Sequence, residues 1–169
     1  KTFETYFEKF RLSDMAVVRT LEYDSDWNWK VLVENFMEAY HHIGVHQETF
    51  EPAYHARDSR VPDNDGPWSI LHMPAAHAEL PPGLPPVEGL EDWQARDLFA
   101  SALYPHFLLG IQGSVVTWYQ VFPESAGKLK LKIHSCVPGA YTAFEGFDQI
   151  ADEISHMVDA IHQEDIGAN

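Results

Sequence analysis

The chain is 169 residues long, one domain's worth, and can bury roughly 70% of its unfolded surface without disulfide staples. Eleven Lys and Arg against 26 Asp and Glu give a formal charge of −15, which leaves too few cations for a nucleic-acid or anionic membrane surface, and no apolar run approaches the ~20 residues of a membrane span. The single cysteine, Cys136, excludes an intrachain disulfide, a thiolate zinc site or an iron–sulfur cluster built from this chain alone, so an ion bound here would rest on carboxylates and on the ten histidines.

No signal-like apolar stretch follows Lys1, and a cytoplasmic location is expected. A first residue other than Met reads as a fragment of a longer chain. Phe3, Phe7 and Phe10 recur at helical spacing and predict a short amphipathic helix over residues 1–12. Met15 to Tyr23 is apolar and β-branched and predicts a strand, ended by the turn signal Asp24-Ser25-Asp26, of which Asp26 can also cap the next helix. From Trp27 to about Ile43 the residues Trp29, Leu32, Val33, Phe36 and Tyr40 keep three- and four-residue intervals, the clearest helix of the sequence, broken or loosened at Gly44.

Residues 45–65 are polar and irregular, and Pro67 to Met73 predicts a strand. Pro74, Pro81, Pro82, Pro85 and Pro86 exclude helix or central strand over 74–90 and predict an extended loop, a lid or pocket wall. Glu91 to Leu103 is helical by pattern. Leu108 to Gly113, Ser114 to Phe122 and Lys128 to Val137 predict an antiparallel meander, with Pro123 to Gly127 as a turn. Its last strand alternates Lys128, Lys130 and Lys132 with Leu129, Leu131 and Ile133, the mark of a sheet with one wet side. Phe144, Phe147, Ile150, Ile154, Met157, Val158 and Ile161 predict a terminal helix of about 20 residues. The fold class expected is α+β in a single domain over 1–169.

The chemistry concentrates in nine positions that hold Glu38, His41, His42 and His46, with Asn35 and Tyr40 beside them. Two neutral imidazoles and one carboxylate on one face of an ion leave three positions open, the arrangement used by non-haem Fe(II) with dioxygen. His42 and His46 are four apart and share a face of a regular helix, whereas His41 and His46 are five apart, about 140° around it, and converge only if the helix ends or widens between them. Spacing alone therefore leaves both pairs open, along with plain surface histidines at a helix end.

The run Asn28-Trp29-Lys30-Val31-Leu32-Val33-Glu34-Asn35-Phe36-Met37-Glu38-Ala39-Tyr40-His41, continued to His46, resembles the catalytic domain of Rieske non-haem iron oxygenases, the alpha subunits of aromatic-ring-hydroxylating dioxygenases and their monooxygenase relatives. The resemblance selects His41 over His42 and implies that His41 and His46 ligate a mononuclear Fe(II). It implies that Glu38 is the acid linking this iron to the Rieske cluster of a neighbouring subunit, and that Asn35 lies near the iron. A third ligand is expected from an Asp on the C-terminal helix, often after another acid. The Glu164-Asp165 pair fits that pattern and makes Asp165 the choice over Asp152 and Asp159, which together with His156 otherwise read as a solvated face. Leu103 to Leu109 and Tyr119 to Pro123 carry weaker likeness to later strands of the family. The implied fold is the helix-grip (Bet v1/START-like) arrangement, a curved antiparallel sheet closed by a long C-terminal helix.

The implied activity is O2-dependent mono- or dihydroxylation of an aromatic or other small organic substrate, giving a cis-dihydrodiol, a hydroxylated product or a dealkylated one. The family's other half, an N-terminal Rieske domain with a 2Fe–2S cluster, needs cysteines that this chain does not have. NAD(P)H-derived electrons are therefore expected from outside it, through a reductase or ferredoxin. A homotrimer is expected of the intact enzyme, with neither nucleic acid nor membrane as partner. The chain then reads either as an excised catalytic portion or as a natural remnant. The competing readings are a non-catalytic helix-grip module holding a small hydrophobic ligand, and a hydrolytic zinc site on the same histidines. Tyr40, Phe107, Trp118 and Tyr119 are candidate pocket aromatics, while His72, His106 and His134 receive no role.

Overall fold

The computed structural model describes residues 2–77 and 83–168. In chain order the elements are α1 (Phe3–Phe7), β1 (Met15–Ser25), α2 (Trp29–Phe36), β2 (Trp68–Met73), α3 (Asp92–Arg96), β3 (Leu98–Leu103), β4 (Phe107–Gln112), β5 (Val115–Ser125), β6 (Lys128–Pro138) and α4 (Phe147–Ala168). The six strands form one antiparallel sheet in the order β1-β6-β5-β4-β3-β2. The meander β3–β6 runs through its middle, and β1 crosses over to pair with β6. This is the expected α+β sheet with a long C-terminal helix. No described helix is long and apolar enough to cross a membrane.

Strand alternation sorts the side chains into two faces. On the inner face Leu108, Val121, Leu129, Leu131 and Ile133 are buried against Trp27, Leu32 of α2 and Val158 of α4. On the outer face Ile70, Phe99, Leu109 and Ile111 are covered by Phe7 and Phe10 from α1 and the turn after it. Lys128 and Lys130 project from β6 into solvent while Leu129 and Leu131 are fully buried, so the first part of the strand has the predicted wet face, whereas Cys136 further along that face is buried in the outer layer. Helix α4 is held along β1 at two levels. Arg19 Nε lies 2.8 Å from Asp152 Oδ1, and Arg19 Nη2 lies 3.3 Å from Asp148 Oδ1. Four residues on, Tyr23 donates its hydroxyl to Asp159 Oδ1 at 2.7 Å.

Three expectations are corrected. The helix expected over Trp27 to Ile43 is α2 alone, eight residues capped by the Asn28 side chain rather than by Asp26. Met37 and Ala39 leave the helical region, and a short 3-10 turn covers Tyr40–Ile43. The cause is local. The Glu38 carboxylate accepts the backbone N–H groups of Tyr40 and His41, which gives this segment hydrogen bonds that compete with helix continuation. The helix expected over Glu91 to Leu103 is only the five-residue α3, after which the chain turns extended at Asp97 and becomes β3. Burial of Phe99 and Ser101 on one face and Ala100 on the other overrides the helix preference of these small residues. The turn expected at Pro123 to Gly127 shrinks, because β5 continues to Ser125.

The proline-rich stretch contains no helix or strand in its described part, residues 74–77 and 83–90, while Pro81 and Pro82 lie outside the described residues. None of its described residues lines the cavity below: Leu84 packs against the Val137 and Phe147 cluster, and Ala75 only backs the cluster of Met73 and Ala100, so the expected pocket wall is not found among them. The β4–β5 hairpin closes on Gly113 and Ser114. Gly113 has φ +55°, and a Cβ there would also approach the Ala95 carbonyl to 3.0 Å, so glycine is required twice over.

Candidate metal centre

The break after α2 decides which histidines meet. Past it the backbone mixes turn types: Gly44 N makes a three-residue turn onto the His41 carbonyl, while Val45 N and His46 N make four-residue turns onto the His41 and His42 carbonyls, so the segment keeps no single helical phase. His41 and His46 then face each other with ring centroids 4.9 Å apart. Nε2 of His46 lies 3.1 Å, and Nε2 of His41 3.6 Å, from the same atom, Asp165 Oδ1 of α4. Residues 119 apart in the chain thus converge on one point.

The other nitrogen of each ring is also engaged. His41 Nδ1 is 2.5 Å from Glu38 Oε1, and His46 Nδ1 is 2.6 Å from Glu164 Oε2. A carboxylate accepts from the N–H form, so each ring donates from Nδ1 and turns Nε2 toward the common point, where His46 Nε2 is also within hydrogen-bond reach of Asp165 Oδ1. Asn35 donates its amide to Asp165 Oδ1 at 3.0 Å, and Thr49 donates its hydroxyl to Glu164 Oε2 at 2.7 Å. Burial disfavours charge on His46, but the hydrogen bonds and charges of Asp165 and Glu164 outweigh it and hold its pKa above the ordinary value. Burial likewise works against the Asp165 carboxylate, yet His46 and Asn35 hold its pKa below the ordinary value.

One donor atom each from His41, His46 and Asp165 lies within 4.8 Å of the others. A divalent ion at roughly 2.0–2.2 Å from each donor needs that convergence, so the set fits a metal of the imidazole–carboxylate class. The three line a cavity of about 80 Å³ whose remaining wall includes Asn35, Phe36, Phe50, Thr117 and Tyr119. His42 lines it too but takes no part in the convergence. It is 3% exposed, stacks on Phe50 at 5.2 Å, and has an Nδ1 without a partner. Burial, with the two neighbouring histidines, pushes its pKa down to about 4, so it is a neutral ring.

The remaining candidates separate cleanly. Asp152 and Asp159, the rivals of Asp165, are bound to Arg19 and Tyr23. Tyr40 is 86% exposed, and Phe107 and Trp118 lie together on the outer sheet face, so among the candidate aromatics Tyr119 alone lines the cavity. His72 is not solitary, since its Nε2 lies 2.6 Å from buried Asp97, while His134 bonds Thr20 and His106 packs edge-on against Trp29. Glu164 went unassigned in the sequence. Its signal is its place beside Asp165, which does not by itself say that it reaches a histidine on another element.

A family model described as the ring hydroxylating alpha subunit (catalytic domain) matches residues 12–168. Among solved structures, the quaternary ammonium Rieske monooxygenase CntA with an inhibitor superposes with a TM-score of 0.75 at 15% identity, over 98% of this chain and 42% of that one. The naphthalene 1,2-dioxygenase of a Rhodococcus species bound to indole gives 0.58 at 16% identity, over 95% and 50%. The carbazole 1,9a-dioxygenase terminal oxygenase of Novosphingobium sp. KA1 gives 0.51 at 15% identity, over 93% and 48%. At these identities the likeness speaks for the fold, and the chain spans half or less of the length of these three. No curated protein sequence matches.

Proposed function

Because the chain belongs to the ring-hydroxylating alpha subunit family, over its catalytic domain, we propose that it is the catalytic portion of a Rieske-type oxygenase holding mononuclear Fe(II) on His41, His46 and Asp165. The observation that carries this reading is the meeting of those three side chains at one wall of a largely apolar cavity. Bound there, the iron supplies the activation of O2 for insertion into a small organic substrate. What the chain itself contributes is orientation. Glu38 and Glu164 fix the ring tautomers of His41 and His46, so that neither imidazole must reorganise to offer its lone pair. Asn35 holds the Asp165 carboxylate in place, and Phe36 and Phe50 line the space in which substrate would sit.

Glu38 has a more open side chain than its counterpart Glu164, 41% exposed against 30%, with 16% or less for the three ligands. An acid that touches a ligand on one side and faces outward on the other suits the transfer of electrons arriving from a 2Fe–2S cluster outside this chain. A reductase or ferredoxin, and a neighbouring subunit in a homotrimer, would deliver them. Mono- versus dioxygenation depends on the substrate bound.

The test is metal analysis of the purified protein after anaerobic loading with Fe(II). One iron per chain is expected, together with its loss in His41→Ala. Full occupancy in that variant would overturn the ligand set, and absence of iron from the parent protein would favour the ligand-binding helix-grip reading.

A further inference from the structure

Two of the polar side chains that line the cavity beside the three proposed ligands carry an atom with no hydrogen-bond partner among the described residues: His42, whose Nδ1 is sealed inside the protein, and Tyr119. Tyr119 stands on the inner face of β5, its ring edge-on to Phe36 with centroids 4.8 Å apart. It lines the cavity with His41, His46 and Asp165, and its hydroxyl makes no hydrogen bond among the described residues. Burial, reinforced by the negative Asp165 nearby, raises its pKa well above the ordinary value, so the group is an O–H donor throughout the physiological range. Thr117, two residues back on the same face, is not equivalent, because its hydroxyl leans on the Gly110 carbonyl at 3.4 Å. Apart from Asn35 and His42 the rest of the wall is apolar, and no Lys or Arg lines it among the described residues.

A hydroxyl donor with no protein partner, facing a mostly apolar cavity, gains a hydrogen bond from an incoming acceptor, and sites built this way discriminate against analogues lacking the acceptor. We propose that Tyr119 is the specificity-determining hydrogen-bond donor of this cavity, and that the substrate is a small uncharged molecule with an apolar body and one oxygen acceptor, a ketone, ether or alcohol. The inference rests on the oxygenase reading of the same cavity. A carboxylate-bearing substrate is disfavoured because the protein wall offers it no Lys or Arg and adds the negative Asp165, and a pure hydrocarbon because it leaves the hydroxyl without a protein or substrate partner. Tyr119 places the acceptor end of the molecule, and the apolar wall directs the remainder.

The experiment compares two probes of one shape, cyclopentanone and methylenecyclopentane, by anaerobic NMR titration of the Fe(II)-loaded protein, in which the iron relaxes the protons of a probe in the cavity. The same titration is followed by saturation transfer on the metal-free protein. The parent protein is expected to bind the ketone up to about tenfold more tightly. Tyr119→Phe should remove that preference by weakening the ketone alone, with hydrocarbon affinity held within about twofold. Thr117→Val should keep the preference. Equal binding of the two probes, binding of neither, survival of the preference in Tyr119→Phe, or its loss in Thr117→Val each overturns the assignment. A ketone preference in metal-free protein that takes up no iron supports the assignment and removes the oxygenase reading, whereas normal iron binding with no preference removes the assignment alone.

Discussion

Glu164 Oε2 lies 2.6 Å from Nδ1 of His46, at the nitrogen opposite the one that faces Asp165. Two adjacent residues of α4 thus grip the two nitrogens of a single ring, one as proposed ligand to the metal, the other as holder of the imidazole.

That arrangement makes Glu164 a determinant of metal affinity without contact to the metal. Glu164→Ala should weaken Fe(II) binding by about 10- to 100-fold while the far-ultraviolet circular dichroism stays that of the parent. An anaerobic iron titration measures it, and an unchanged affinity would show that the His46 ring needs no such support.

Glu38 differs from Glu164 in what it faces. Glu38→Gln keeps an acceptor for His41 Nδ1 and should leave iron occupancy within a few-fold of the parent. In a reconstituted system with Rieske domain and reductase, turnover should fall by at least about tenfold, because the charge facing the donor side is gone. Parental turnover in that system would end the electron-transfer role proposed for Glu38.

Asn35 acts on Asp165 rather than on a histidine. Asn35→Leu removes the amide donor in a half-buried setting and should cost about 1 kcal/mol of stability in the metal-free protein, read as a shift of the urea midpoint.

His42 carries a pH dependence. Its pKa is pushed down to about 4 in the folded chain, against about 6.5 unfolded. The unfolded state therefore binds more protons between those values, and stability falls as pH drops from about 6.5 to 4, by up to about 3 kcal/mol for this group. His46 has the opposite sign, since its raised pKa gives stability that is present below the unfolded value and lost as pH rises through the folded one. Denaturant midpoints of the metal-free parent and of His42→Leu between pH 4 and 7 separate the two. The variant should lose the acid-side slope, and an unchanged slope would assign it elsewhere.

Phe99 tests the outer layer. Fully buried, it meets Tyr6, Phe7, Phe10, His72 and Trp93 ring to ring. Phe99→Ala should cost about 3–5 kcal/mol. Chemical denaturation would show it, together with faster proteolysis in the N-terminal segment that Phe99 anchors.

Much of this was legible in the residues, and what was not has physical causes. Alternation gave β6 nearly to its ends, because its leucines and isoleucine are fully buried while the lysines between them stay open or half-open. The segment around Leu98–Leu103 misled, since Ala and Ser fit either period and only the partners β2 and β4 decide between them. The run from Trp29 to Tyr40 looked like one helix because its apolar spacing continues past the point where the Glu38 carboxylate takes over the backbone. That same interruption answers the question that spacing left open, which two histidines share a point. Asp165 was reachable only through likeness to a family, as local pattern cannot join residues 119 apart. Tyr119 was visible only as one of four candidate pocket aromatics, because which of them reaches the cavity depends on which way each segment faces.

The two ties between β1 and α4 have a consequence for the placement of Asp165. Arg19 and Tyr23 engage Asp152 and Asp159, successive marks along the same helix, and so set both its rotation and its travel along the strand. A single residue inserted between Asp159 and Asp165 would leave both ties intact, yet swing everything beyond by about 100° and advance it about 1.5 Å. The carboxylate would then turn away from the histidines, and His162, when it lies beyond the insertion, would leave its buried place beside Tyr23. The strand serves this helix as a ruler, and the centre is assembled by measurement as much as by contact.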